Sequence, residues 1–212
     1  MAGDLENEVA AVTDGRTARR ERGKVAVLEA ILEHIAETNG YGEATPEEVA
    51  QRAGVSVASL FRYFGTLDAM RHAASAHWLQ KNEHLLTIDD IGEGSLPVRI
   101  ETFVRCRIAR FEAAKAIGRL VRRLAHENED AHDMVQQTRA MSMDQVRHHF
   151  DTELSQLDPL QAKHLSSIIG TVTSHESLVQ LTEQDGMNLS EAATPLEMAL
   201  TCLLTKAVEL KL

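Results

Sequence analysis

The stretch TPEEVAQRAGVSVASLFRYF (45–64) constrains this chain more than any other, because two helix starts and a tight turn fall within a few residues of one another. Thr45 can cap a helix, Pro46 suits its first position, and Glu48 can close a capping box. That helix ends at Gly54, where a tight turn needs positive φ. Ser56 can cap a second short helix reaching about Tyr63. Val49, Ala53, Val55 and Leu60 supply a small shared core, and Ala50 is small where the two helices would cross closely. An ordinary αα-hairpin has a similar pattern, so the flanking sequence has to decide what the pair is for.

Helical spacing recurs along the rest of the chain. Val27, Leu28, Ile31, Leu32 and Ile35 form one stripe, stopped by Asn39-Gly40. Thr66 starts a long helix to about Leu86, and 88–97 reads as a loop. Further stripes follow at Ile100, Val104, Ile108 and Phe111, and at Ile117, Leu120, Val121 and Leu124. After a turn at 126–131 come a helix to about Leu154, a long helix from Pro159 to about Gln184, a break at 185–190 and a last helix to about Leu210. The expectation is an all-α chain of about nine helices with no strand: a disordered acidic and basic arm at 1–18, a helix-turn-helix domain at 19–66 and a larger helical bundle at 67–212. Twelve glycines and four prolines are few for a turn-rich β fold. No apolar run is long enough to span a membrane, and the acidic N-terminus lacks the pattern of a secretory signal. Cys106 and Cys202 are isolated, which suits a reducing cytoplasm.

The formal net charge is −10, which by itself argues against a nucleic-acid partner. The charge is uneven, however. Residues 16–24 carry Arg16, Arg19, Arg20, Arg22 and Lys24 against Glu21 alone, while 1–15 hold only acids (Asp4, Glu6, Glu8, Asp14). A local basic segment can grip phosphates on an acidic protein, because the Debye length is about 8 Å at physiological salt. The second helix of the pair would then enter the major groove, with residues 56–59 and 62 near bases or phosphates. Val57 and Ala58 could touch thymine methyls, and Arg62 could reach phosphate or guanine.

The run from Thr45 to Met70 resembles the DNA-binding domain of the tetracycline-repressor (TetR) family. It carries Thr45, Val49-Ala50, Ala53-Gly54-Val55-Ser56, Leu60, Tyr63-Phe64 and Thr66 where that family has its motif. The candidate DNA-contacting residues are Arg19 and Arg20 of the basic segment, Ser56, Val57, Ala58, Ser59 and Arg62 of the second helix, and Thr45, Phe61, Tyr63 and Thr66 within the stretch that resembles the family. Three positions depart from the pattern. Ala58-Ser59 stands for Gly-Thr, Phe61 for a Tyr hydroxyl that meets phosphate, and Leu67 for a phosphate-contacting Lys. The basic segment at 16–24 could compensate for the lost phosphate contacts.

In the C-terminal part, Leu165, Ile168, Ile169, Val172 and Val179 form one stripe, and Leu196, Leu200, Leu203, Ala207 and Leu210 another. Both could serve the chain's own core alone. The resemblance implies that these two helices pair with their copies in a homodimer, with Leu165, Ile169, Val172, Leu196, Leu200 and Leu203 at the interface. It also implies an effector pocket among the middle helices. Candidate wall residues are Trp78, Phe103, Arg107, Phe111, Met134, Met141, Ile168 and His175, each of which could equally be plain core. The basic run from Arg105 to Arg123 reads more simply as a solvated face. Its other reading, counter-charge for an anionic effector, requires an arginine that points inward, and Arg107 is the borderline case.

No catalytic or metal chemistry is legible. The histidines lack the spacing that puts two imidazoles on one helical face, and no Cys-x-x-Cys occurs. There is no nucleophile elbow, dinucleotide fingerprint or P-loop. Ser174-His175-Glu176 are consecutive on a helix and splay apart. The expectation is a non-enzymatic, cofactor-free, ligand-responsive regulator. It would bind a palindromic double-stranded DNA operator as a dimer, act as a repressor and be released by a small molecule. The alternative is a helical sensor or interaction module whose DNA binding has degenerated.

Overall fold

The computed structural model describes the backbone of residues 2–210 and the side chains of residues 16–207 and 209. The described residues are helical with no strand, and they divide into two compact units, Met1–Lys81 and Asn82–Leu212.

The first unit holds α1 (Ala2–Glu37), α2 (Pro46–Ala53), α3 (Val57–Phe64) and α4 (Leu67–Lys81). Val27, Ala30, Ile31 and Ile35 of α1 are buried with Val49 and Ala50 of α2, Leu60 of α3, and Met70 and Ala74 of α4. Their spacing on α1 is that of a single helical face. Polar contacts tie the rim: Arg52 and Lys81 form ion pairs with Glu37 and Glu29, each at 2.8 Å, and His77 Nε2 lies 2.8 Å from the Glu29 carboxylate. Two expectations change here. The backbone of the stretch expected as a disordered arm, 1–18, is helical from Ala2 as part of α1. No proline interrupts that stretch, and alanine, glutamate and arginine favour helix. The acidic side chains of residues 1–15 lie outside the described residues. The unit also ends at Lys81 rather than 66, because Met70 and Ala74 of α4 are buried in it.

The second unit holds α5 (Leu96–Leu124), α6 (Glu129–His149), α7 (Asp151–Leu154), α8 (Pro159–Val172), α9 (His175–Val179) and α10 (Leu189–Leu210), with a 3-10 turn at Glu83–Leu86 and a π turn at Gln180–Gln184. The two stripes at 100–111 and 117–124 belong to the one long α5. The helix expected from Pro159 to Gln184 breaks at Thr173. The Thr173 hydroxyl donates to the Ile169 carbonyl at 2.7 Å, and Ser174 accepts from the Ser177 amide at 3.1 Å, so the chain restarts as α9. The core is built on α5, whose Ile100, Phe103, Val104 and Phe111 pack with Val146, Phe150, Ile169, Leu178, Leu196, Leu200 and Leu204. The side chain of Leu210, expected in the α10 stripe, lies outside the described residues.

One end of α5 is fastened by a buried polar network. Arg99 donates to both Glu153 carboxylate oxygens, at 2.8 and 2.5 Å, and to the His149 carbonyl at 2.9 Å. His149 Nδ1 accepts from the Gly92 amide at 3.1 Å, and its Nε2 lies 2.8 Å from the Arg99 carbonyl. Those partners fix the neutral tautomer with the proton on Nε2. Every member has a partner, which is the condition for such a network to be tolerated in a core. Removing one carboxylate leaves the guanidinium buried without its counter-charge. Glu153→Gln is therefore expected to destabilise the protein by about 3 kcal/mol. The double change Arg99→Met, Glu153→Leu is expected to cost less than either single change, as read from urea unfolding curves.

Candidate nucleic-acid interface and effector region

The geometry of the 45–64 stretch follows its sequence closely. Thr45 accepts from the Glu48 amide at 3.3 Å, and the Glu48 carboxylate accepts from the Thr45 amide at 2.9 Å, closing the capping box. Gly54 sits at φ 65°, ψ 31°, in the left-handed region that a side chain resists. Ser56 accepts from the Ser59 amide at 3.1 Å and so starts α3.

On α3 only Leu60 is buried; Ala58, Phe61 and Arg62 are exposed, and Val57 and Ser59 half-buried. Ser56 donates to the Ser59 hydroxyl at 3.0 Å, and Arg62 donates to the same hydroxyl at 2.9 Å. The guanidinium of Arg62 also lies 5.6 Å from the Tyr63 ring centroid. Arg62 is thereby steered along the helix rather than left to roam. Tyr63 is half-buried, and a Cβ at Gly23 of α1 would come within 2.9 Å of its hydroxyl. Its ring therefore packs on α1 as well as bordering the outer face. Thr66 is exposed and caps α4 through the Ala69 amide at 3.1 Å. Arg19 and Arg20 are exposed on α1, Phe61 is 40% exposed, and Leu67 is half-buried.

The expected pocket residues are not all brought together. Trp78 is half-buried in the first unit, whereas the others belong to the second. Phe103 and Phe111 are buried on α5. Arg107 lies between them on that helix, only 3% exposed, with its guanidinium 4.5 Å from the Phe103 ring centroid. It donates to Gln145 Oε1 at 2.7 Å and to the Ser142 carbonyl at 2.8 Å. Arg110, half-buried, donates to the Ser142 hydroxyl at 2.9 Å. Met134 and Met141 are half-buried on the same face of α6 as Ser142 and Gln145, by helical spacing. His175 packs against Phe111, ring centroids 5.0 Å apart, over Gly118, where a Cβ would lie 2.8 Å from its Cε1. The simpler reading of the basic run thus fails at Arg107, which points inward. It holds at Arg105 and Arg123, which are exposed. Arg110, Ser142 and Gln145 were not among the expected residues. The three-residue step from Arg107 to Arg110 was the available signal for the first, while for the α6 pair only knowledge of the facing helix could have served.

The two C-terminal stripes serve the chain's own core. Leu165, Ile169, Leu196 and Leu200 are buried in the chain's own core, with Val172 and Leu203 half-buried against it. Ile168, expected at the pocket, is instead 49% exposed, as are Leu160 at 60% and Met198 at 64%. Four residues of helix turn about 40° past a full circle, so Ile169 can follow Leu165 inward while Ile168 faces out.

Among the described residues no group of three or more His, Cys, Asp or Glu side chains is gathered to hold a metal ion, and no helix is long and apolar enough to cross a membrane.

Burial pushes the His175 imidazole down to about 4, with nearby Arg122 acting the same way, and burial also lowers His149. Each ring is therefore held neutral in the fold but protonates near pH 6.5 when unfolded. Their contribution to stability is complete above pH 6.5 and is lost as pH falls, for His175 towards about 4. The thermal midpoint is expected to drop across that window, and less steeply in His175→Gln than in the parent chain.

A pair of short helices joined at a left-handed glycine, the second with Ala58, Phe61 and Arg62 outward, is the geometry of a helix-turn-helix DNA-binding protein. Residues 27–74 match the family model for bacterial regulatory proteins, tetR family. Over that stretch, which contains the whole helix-turn-helix, the chain is similar to the DNA-binding domain of the TetR family of transcriptional regulators. Solved structures share its fold across most of its length. One, described as a TetR-family transcriptional regulator from Rhodococcus sp., is 19% identical, with a TM-score of 0.63 over 87% of this chain and 99% of that one. A transcriptional regulator from Rhodococcus sp. Rha1 is 17% identical, with a TM-score of 0.60 over 88% and 96%. A TetR transcription regulator from Haloarcula marismortui is 16% identical, with a TM-score of 0.59 over 87% and 97%. No curated protein matches the sequence significantly. Regulators of this family are DNA-binding transcription factors rather than enzymes.

Proposed function

We propose that this protein is a ligand-responsive repressor that binds a palindromic operator as a homodimer and is released by a small molecule held in its second unit. The observation that carries the DNA part is α3. It is capped by Ser56, anchored by the buried Leu60 and by the Tyr63 ring against α1, and presents Ala58, Phe61 and Arg62 outward. Arg19 and Arg20, exposed on α1, supply phosphate contacts that Phe61 and Leu67 do not. Release follows if the ligand binds one of two conformational states more tightly than the other. Selection from a random duplex library is expected to return an inverted repeat, its half-sites about 34–36 Å apart or a multiple of that. Arg19→Gln, Arg20→Gln and Arg62→Gln are each expected to lower the slope of log affinity against log salt by about one. Recovery of no motif at low salt would favour a sensor that no longer binds DNA.

The homodimer reading is supported by the outer faces of α8 and α10. Leu160, Ile168 and Met198 are exposed there among small residues, with Ser167 and Thr171 on α8 and Thr194, Thr201 and Cys202 on α10. Small neighbours let two helices approach closely, and exposed apolar side chains supply the driving area. Ile168→Glu and Met198→Glu are expected to shift the protein from dimer to monomer in sedimentation velocity while leaving it folded. Ile169→Ala, one residue away but buried, is expected to cost about 2–5 kcal/mol of stability instead.

A further inference from the structure

We propose that the facing surfaces of α5 and α6 form a receptor for a small organic carboxylate, with Arg107 and Arg110 holding the carboxylate and Phe103, Phe111 and Met141 lining its apolar body. The inference rests on the regulator reading only for the role of that molecule as effector.

The second unit treats its arginines in two ways. Arg99, equally buried, meets both oxygens of Glu153. Arg122 and Arg139 each lie 3.0 Å from Glu176, Arg119 pairs with Glu183, and Arg147 lies 2.9 Å from Asp144. Arg107 and Arg110 stand apart: among the described residues their hydrogen bonds end on a side-chain amide, a backbone carbonyl and a serine hydroxyl, all neutral. The Nε–H of Arg107 is sealed from solvent and has no acceptor at all. An ionised group taken from water without a counter-charge costs several kcal/mol, as does an orphaned donor on a smaller scale. The two cations also oppose one another. Burial, then the neighbouring Arg110, brings Arg107 down to about 9, and burial with Arg122 brings Arg110 to about 10; both remain charged at neutral pH. A bound anion would relieve all of this at once.

The surroundings select the kind of anion. The Thr138 hydroxyl donates to the Met134 carbonyl, and the Ser142 hydroxyl to the Thr138 carbonyl, both at 2.8 Å, so neither is free to donate outward. Donors at this site are therefore the two guanidinium groups, each able to take both oxygens of a carboxylate, and it is the apolar wall beside them that favours an anion with an apolar body over a small inorganic one. Beside them the walls are aromatic and thioether. Because the vacant Nε–H is closed off, a ligand must part side chains to reach it. Met141, half-buried and unbranched on the face of α6 that carries Ser142 and Gln145, is suited to give way.

The test uses the full chain and a panel of sodium butyrate, octanoate, decanoate and benzoate, with octanol and sodium sulfate as controls at constant ionic strength. Binding is read by calorimetry and by thermal shift. At least one carboxylate is expected to bind and raise the melting temperature, with octanol and sulfate ineffective at the same concentration. Arg107→Gln and Arg110→Gln are each expected to weaken that binding about tenfold or more. If the buried Arg107 variant does not fold, the half-buried Arg110 position carries the test alone. The proposal is overturned if no carboxylate binds, if octanol or sulfate does as well, or if binding survives the substitutions. A carboxylate that binds with this arginine dependence but leaves DNA affinity unchanged supports the site and counts against the ligand-released repressor. DNA binding without carboxylate binding does the reverse.

Discussion

Burial of α5 is the constraint on which the second unit depends. The helix is 29 residues long and contributes to the core along most of its length, yet it carries eight basic side chains between Arg99 and Arg123. A helix that is enclosed must either point its cations outward or find partners for them inside. Arg105 and Arg123 take the first course and Arg99 the second, with Glu153 and the His149 carbonyl as partners. The pairing at Arg99 also explains the neighbouring architecture. It brings the start of α5 against the junction of α6 and α7, and His149 reaches back to the Gly92 amide to close the loop between. Arg107 obeys neither rule, and that exception is the most informative feature of the unit.

The first unit depends on local chemistry instead. Helices of eight residues are too short to be stable through propensity. They persist because each end is satisfied: Thr45 and Glu48 reciprocally, Gly54 by its left-handed turn, Ser56 by accepting from Ser59. Capping also does functional duty, since the Ser56 and Ser59 hydroxyls that start α3 hold Arg62 along the same helix. The outward face is thus ordered by the same contacts that begin the helix.

This division explains what the sequence made legible. Caps and turns act over three or four residues, so Thr45, Gly54 and Ser56 could be assigned without knowing any partner. The apolar face of α1 was equally plain from Val27, Ile31 and Ile35. Tertiary choices were not. Period alone says that Leu165, Ile168 and Ile169 are near one another on α8, but not which of two adjacent strips meets the chain's own core. That choice is made by α10 and α6, and it sends Ile168 outward and Ile169 inward. Arg107 was ambiguous for the same reason, sitting at the edge of an apolar stripe whose width is set by the helix opposite. The break at Thr173 was missed because Thr171, Val172 and Thr173 tolerate helix individually, and only the side-chain bond to Ile169 and the Ser174 cap end it. Trp78 was a pocket candidate through the family resemblance, and period alone could not say that α4 packs with the first unit.

A sealed, unpartnered guanidinium also bears on how such a protein could switch. A ligand shifts an equilibrium only by its difference in affinity between states, and tight binding to both shifts nothing. A site already open and satisfied would bind its ligand much alike in either state. At Arg107 the situation differs, because the Nε–H is closed to solvent and the charge uncompensated in the state described. Supplying an anion there requires the side chains that seal the Nε–H to part. The ligand-bound form then cannot be the form described with an anion simply added. An affinity difference between states follows from that steric fact, and its size is set by the cost of leaving a buried cation unpaired. The energetic flaw at the centre of α5 is, on this view, the source of the coupling.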